Sequence, residues 1–404
     1  MIAQAIPILL SPVIARLYTP GEFGVYSTFF SLLMIFGIIA NGRYEMAIVL
    51  PGKDEDAINI AATGIFIALC LSSFLQFIVI LFNNQIAVLF NNKEIGVWLY
   101  FVPLLVLFTG LFNVLNYYNS RLKNYRYIAE ANVYKSISLS GVQLILGFFK
   151  AGVTGLITGQ IISQFTGNIK LFRETIKNRE LISLITIEKM KNVARRYIDF
   201  PRYNIWSGLT SQLSLNLINL FTIALYSSSV VGWYAFANRI LGLPTLIIGT
   251  SIGQVFLQEA SVEKNKTGNV VKIFNSTFRK LAFIAIPSGI VAYPLISFLW
   301  TPVFSKDWHM AGVYAQILIP FFVIRFITNP LISVLSIFEK QHISLIWQIG
   351  NILIIGALLW SISLFNLEIE LFLYLLSYIL SAYYLILLFI LYRTAKGDNL
   401  SVET

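Results

Sequence analysis

Six charged residues interrupt the long apolar runs of this sequence: the cations Arg43, Lys135, Arg239 and Arg325, and the acids Glu45 and Glu130. A charge at bilayer depth costs roughly 2.5 kcal/mol or more unless it faces protein, water or a partner. Four cations against two acids leave a positive surplus. The planar guanidinium fork of arginine matches phosphate geometry. The chemistry open to such a set is therefore non-covalent, the holding of an anionic head group inside a membrane. Glu45 and Glu130 could pair with the cations or bind a coupling H+ or Na+. No His/Cys/Asp cluster has metal-ligand spacing. The reading accordingly names no catalytic or metal residue and no cofactor beyond that ion, and expects a protein that is not an enzyme.

The elements that must position these residues follow from composition. The chain is 57% hydrophobic and 12% charged, whereas a soluble domain carries about 25% charged residues. Apolar stretches recur along its whole length. They lack the alternation of about ten residues expected of an outer-membrane barrel, so the fold class is an all-α polytopic membrane protein. With about 20 residues per crossing, twelve spans are predicted, roughly at 1–16, 23–50, 57–82, 95–119, 127–149, 151–172, 203–226, 230–257, 275–300, 311–337, 343–365 and 369–392. Pro103, Pro244, Pro287, Pro294, Pro320 and Pro330 fall inside them and allow local kinks. Cys70, the single cysteine, lies in an apolar run; it reads as a core residue.

Placing both termini in the cytoplasm puts the basic loops on one side. Of the 29 lysines and arginines, only Arg16, Lys93, Lys150 and Lys306 fall in the opposite loops, apart from the four intramembrane cations. This bias explains the positive net charge as a topology signal and argues against a nucleic-acid partner. Counting from span ends at 1.5 Å per residue puts Arg239 about 14 Å in from outside, Arg325 about 21 Å in, and Arg43 about 12 Å from the cytoplasmic side. Lys135 sits at a similar inner depth. Arg43 and Glu45, two residues apart, would lie about 200° apart on a helix, which makes them poor direct partners. Trp98, Trp233, Trp300 and Trp308 near outer ends read mostly as an interfacial belt.

The longest loop, near 173–202, divides the chain into a six-helix bundle at 1–172, a cytoplasmic linker at 173–202, a second six-helix bundle at 203–392 and a cytoplasmic tail at 393–404. Ile187, Met190, Val193, Ala194 and Tyr197 recur at helical spacing within the linker. An interfacial helix and a solvated linker both fit that pattern. The two halves echo each other. LYTPGEFGVY begins at Leu17 and LYSSSVVGWY at Leu225, and they share four identities at one offset of 208 residues. Parallel repeats of this kind predict two pseudo-symmetric bundles around a central cavity. Span 1 offers only about 24 Å of helix against a hydrocarbon core of roughly 30 Å, so Met1 is expected to lie inside that span.

Four stretches carry a family resemblance. Ala5–Ser27 (AIPILLSPVIARLYTPGEFGVYS), Asn41–Ala57 (NGRYEMAIVLPGKDEDA), Tyr234–Phe256 and Asp307–Gln341 resemble, in order, stretches of the Wzx-type flippases for lipid-linked oligosaccharides, of the MOP superfamily that also holds the MATE exporters. The resemblance implies two six-helix bundles around a cationic cavity, working by alternating access in a bacterial inner membrane. It implies an undecaprenyl-pyrophosphate-linked oligosaccharide as substrate, for O-antigen or another surface polysaccharide. Membrane lipids, a polysaccharide polymerase and glycosyltransferases are the implied partners. Arg43, Arg239 and Arg325 fall within the matching stretches, and Lys135 does not. The family's chains usually carry residues before the AQAIP stretch. A MATE-like ion-coupled exporter and a membrane polysaccharide polymerase or ligase stay as alternatives. The first would favour acidic cavity residues; the second usually needs a sizeable outer loop.

Overall fold

Every regular element among the described residues is helical, as hydrocarbon demands: a helix satisfies its own backbone groups, and an open sheet edge does not. The computed structural model describes residues 2–176 and 182–397. Met1, Lys177 and Arg179 of the predicted inner loop, and the predicted tail from residue 398 onward lie outside them. Contacts divide the chain into two compact units, Met1–Gly232 and Trp233–Thr404. That division falls later than the linker, because the linker and the helix after it pack on the first unit.

In the first unit, α1 (Ile2–Leu9) and α2 (Ser11–Leu17) are broken at Leu10, and α3 (Pro20–Gly37) follows. The sequence TPGE sets that start. Thr19 Oγ1 accepts from Glu22 N at 3.3 Å, Glu22 Oε2 accepts from Thr19 N at 2.8 Å, and Pro20 occupies the first turn, where no N–H is needed. Next come α4 (Asp54–Leu89), kinked at Phe82, then α5 (Lys93–Leu99) and α6 (Val102–Arg121), which meet at a 45° bend before Pro103. Then come α7 (Tyr125–Phe148), α8 (Val153–Ile176), α9 (Ile187–Arg196) and α10 (Ile205–Leu225). The linker helix α9 packs the later part of its apolar side on protein, while Ile187 at its start is exposed. Val193 is buried, and Ala194 and Tyr197 pack with Tyr44, Ile58 and Tyr118. Asn59 accepts from Thr186 N and donates to Leu184 O, and Lys189 pairs with Glu55.

The two copies of the sequence echo have one local structure. Leu17 and Leu225 end a helix, Tyr18 and Tyr226 cap it, and Pro20 and Ser228 open the next, α11 (Ser228–Pro244). The copies also meet. A Cβ on Gly24 would stand 1.8 Å from Ser228 O, and one on Gly232 would stand 1.8 Å from Pro20 O. This reciprocal contact joins residues related by the repeat offset, and only glycine permits it.

The second unit continues α11 through a π-helical turn at Thr245–Gly249 into α12 (Thr250–Thr267). It then holds α13 (Val271–Phe304), α14 (His309–Leu331), α15 (Ser333–Ile337), α16 (Gln341–Phe365) and α17 (Ile369–Ala395). Phe274, Leu281, Phe326, Leu331 and Leu387 belong to one of its hydrophobic clusters. Among these helices α14 is the most enclosed. Trp300 and Trp308 do not join an interfacial belt. They are buried against Phe236 and Phe304, and Trp300 Nε1 donates to Trp308 O at 2.9 Å.

Seven helices among the described residues are long and apolar enough to cross a membrane, or eight if the bent α5–α6 pair counts as one span. The chain is a multi-pass membrane protein. The segments outside that count are α1–α2, α3, α7 and α8, which are shorter, broken or richer in polar side chains. Cys70 is exposed on α4 rather than in the core.

Candidate functional site

Arg43 stands where the second predicted span is not one helix. The α3 helix ends at Gly37, and six residues of turn carry the chain to a 3-10 segment at Tyr44–Val49. Gly42 and Arg43 both have left-handed backbones, with φ of 59° and 64°. The Asn41-Gly42 pair is a turn signal inside an apolar run, and Asn41 Nδ2 fastens the turn to Gly64 O at 3.1 Å. The α-helical geometry that separated Arg43 from Glu45 therefore does not hold. Arg43 Nη1 lies 3.5 Å from Glu45 Oε1, with the Glu45 side chain only 3% exposed. Hydrogen-bonded pairs of this type lie at about 2.7–2.9 Å, so this pair is loose. Arg43 Nε, Glu45 Oε2 and Asn41 Oδ1 are buried without a hydrogen-bond partner. Arg43 also lies against α10: a Cβ on Gly208 would sit 3.7 Å from its guanidinium.

Lys135, on α7, is directed into its own unit. Its Nζ donates to Gln164 Oε1 at 2.9 Å and stands 3.8 Å above the Phe112 ring. Its stem crosses Gly167, where a Cβ would approach Lys135 Cγ to 2.5 Å. Glu130 accepts from Arg126 at 2.9 Å and from Lys170 at 2.7 Å, so it already has two cationic partners.

In the second unit, Arg239 is half-buried on α11 and Arg325 half-buried on α14. The Arg325 guanidinium lies 5.7 Å from the Phe321 ring and 5.8 Å from the Phe322 ring. Its Nε is buried without a hydrogen-bond partner. No carboxylate pairs with it among the described residues. Aromatic faces stabilise the cation without consuming its N–H groups, which leaves the fork able to take an anion.

The six candidates thus separate. Arg43 with Glu45, Lys135 and Glu130 belong to the first unit, Arg239 and Arg325 to the second. Sequence reasoning missed the Asn41 turn, which the NG dipeptide signalled. It also missed the polar stripe Gln160, Gln164 and Asn168 on α8, whose spacing of four residues was visible. Gln164 holds Lys135, and Asn168 donates to Phe108 O at 2.9 Å.

The helical fold is shared with solved membrane proteins. The chain superposes on the inward-facing conformation of a multidrug resistance MATE family transporter with a TM-score of 0.71 at 13% identity, covering 96% of this chain and 93% of that one. It superposes on the lipid II flippase MurJ, in an inward closed conformation, with a TM-score of 0.70 at 15% identity, covering 96% and 87%. A family model described as "Polysaccharide biosynthesis protein" matches residues 13–312, and the chain belongs to that family. It is 18% identical over 292 residues to the teichuronic acid biosynthesis protein TuaB of Bacillus subtilis (strain 168). That match spans 72% of this chain and 60% of the length of the curated relative.

Proposed function

We propose that this protein is a flippase. It moves an undecaprenyl-pyrophosphate-linked oligosaccharide from the cytoplasmic to the outer leaflet of a bacterial inner membrane, by alternating access, for surface polysaccharide synthesis. The observation that carries the proposal is Arg325: an intramembrane guanidinium backed by two aromatic rings, with a buried N–H unspent and no carboxylate on it among the described residues. Family membership supports the substrate class, and the fold shared with a lipid II flippase supports the mode of movement.

Within this proposal the chain crosses the bilayer twelve times as two six-helix halves, with both termini cytoplasmic. Arg325 and Arg239 hold the pyrophosphate or acidic sugars during passage. Arg43 recruits them at the inner side, and its loose partner Glu45 takes the coupling proton or sodium ion. Glu130, already doubly paired, stays structural. No bond is made or broken in the substrate, and the polymerase and glycosyltransferases act before and after. A MATE-like exporter of cations fits the fold equally, but cationic cargo would meet repulsion at Arg325.

Reconstitution tests this directly. Proteoliposomes carrying a fluorescent lipid-linked oligosaccharide should expose it to the opposite leaflet with its chain length unchanged. Lengthened glycan would identify a polymerase. Label that never changes leaflet would remove the flippase reading.

A further inference from the structure

The turn between α3 and the 3-10 segment is rich in oxygen acceptors with no donor on them. Asn41 Oδ1 and Glu45 Oε2 lack hydrogen-bond partners, and Asn41 and Glu45 are only 1% and 2% exposed. The backbone oxygens of Ala40 and Gly42, both buried residues, accept no backbone N–H among the described residues. Donors close by are committed elsewhere. Asn41 Nδ2 donates to Gly64 O, Tyr44 N to Asn41 O, Met46 N to Arg43 O, and the Tyr44 hydroxyl to Ala194 O. Arg121, on α6, is spent on Asp54, Ile48 O and Pro51 O.

In a continuous helix these carbonyls would accept within the ladder. The left-handed backbones of Gly42 and Arg43 break it. Each buried acceptor without a donor costs free energy, and a cation would satisfy several at once. Unwound carbonyls beside a helix C-terminus are a means by which membrane helices coordinate Na+. Here α3 ends at Gly37, with the negative end of its dipole toward the turn.

Charge selects the ion. Carboxylate, amide and carbonyl oxygens suit a hard cation. A single carboxylate, with a guanidinium 3.5 Å from its other oxygen, offers too little negative charge for a divalent one. Arg43 is partly exposed beside its buried neighbours and holds Glu45 loosely, so it has room to turn outward.

We propose that the turn at 40–45 binds one Na+ through Glu45 Oε2, Asn41 Oδ1 and the carbonyls of Ala40 and Gly42. The ion takes Glu45 from Arg43 and frees that guanidinium for an anion. The site stands on the geometry of the turn, whereas the use of the freed guanidinium rests on the proposed function.

Binding of radioactive sodium to the purified protein reads the site, with ionic strength held by choline chloride. In the wild type the ion should be displaced by NaCl about tenfold more readily than by KCl. Glu45→Gln and Asn41→Ala should each weaken binding about tenfold or more. Arg43→Gln removes the competing cation and should tighten it about tenfold, a gain that misfolding does not imitate. Na+ should also tighten wild-type binding of a soluble pyrophosphate-linked disaccharide about fivefold, and Arg43→Gln should abolish that gain. Sodium binding that fails to saturate in both the wild type and Arg43→Gln would overturn the proposal. So would unchanged binding in Glu45→Gln, or displacement by K+ as readily as by Na+. Proteoliposomes separate this site from the transport reading. Bound sodium with a lipid label that never changes leaflet removes the flippase and leaves the site; leaflet exchange without sodium binding removes the site alone.

Discussion

Lys135 and Arg325 present the same anomaly in sequence, a cation deep in an apolar run, and they differ in what surrounds them. Lys135 is closed off: an amide accepts from its amine, a ring lies beneath it, and a glycine admits its stem. Arg325 is held by ring faces, and its Nε has no acceptor. A buried donor without a partner costs about 1–3 kcal/mol; under the proposed function, the anionic head group of the substrate is its acceptor. Hydropathy exposes both cations equally; hydrogen-bond satisfaction separates them. Arg43 lies between the two, since it has Glu45 as a partner, but only loosely.

The largest effect expected from breaking this ordering is at Arg43. Arg43→Gln leaves the Glu45 carboxylate buried without its cation, a loss of about 3–5 kcal/mol. Glu45→Gln in the same chain should restore the thermal transition, though not transport. Arg325→Ala should lower surface polysaccharide about 10- to 100-fold at matched protein level, the equivalent of one or two charge-assisted hydrogen bonds. Arg325→Lys should recover part of that output. Lys135→Met should behave oppositely: a stability loss of about 1–3 kcal/mol from the stranded Gln164 acceptor, with transport per folded molecule nearly unchanged. Gly167→Ala should cost about 1–3 kcal/mol by crowding the Lys135 stem, and should cost less in a Lys135→Ala background.

The smallest effect lies outside the membrane. The Lys189 ammonium holds the Glu55 carboxyl below its ordinary value, chiefly by hydrogen bonding. A depressed folded value means that the stabilisation is present above the unfolded value near 4.3 and is lost as pH falls through the folded one. Linker cleavage by an acid-tolerant protease should therefore rise below about pH 4, and Glu55→Gln should flatten that rise.

Much of the fold was legible because a bilayer restricts the choice: long apolar runs must be helices. The echo at the offset of 208 residues was legible too, and its two copies share one local structure. The features that were missed share one cause. Apolar content fixes that a segment lies in or near the membrane, but not which side chains turn inward. Trp300 and Trp308 looked like a belt and are core; Cys70 looked like core and is exposed. The α9 pattern left an interfacial helix and a solvated linker open, and it did not show that Val193, Ala194 and Tyr197 pack on the protein. Arg43 and Glu45 were separated on an assumed helix that the Asn41-Gly42 turn interrupts.

Binding of a soluble pyrophosphate-linked disaccharide to purified wild-type, Arg325→Ala and Lys135→Met proteins tests the central contrast most directly. Arg325→Ala should weaken the dissociation constant about tenfold or more, and Lys135→Met should leave it within about twofold. An unchanged constant in Arg325→Ala, or an equal loss in both variants, would contradict the assignment of Arg325 as the residue that meets the anion.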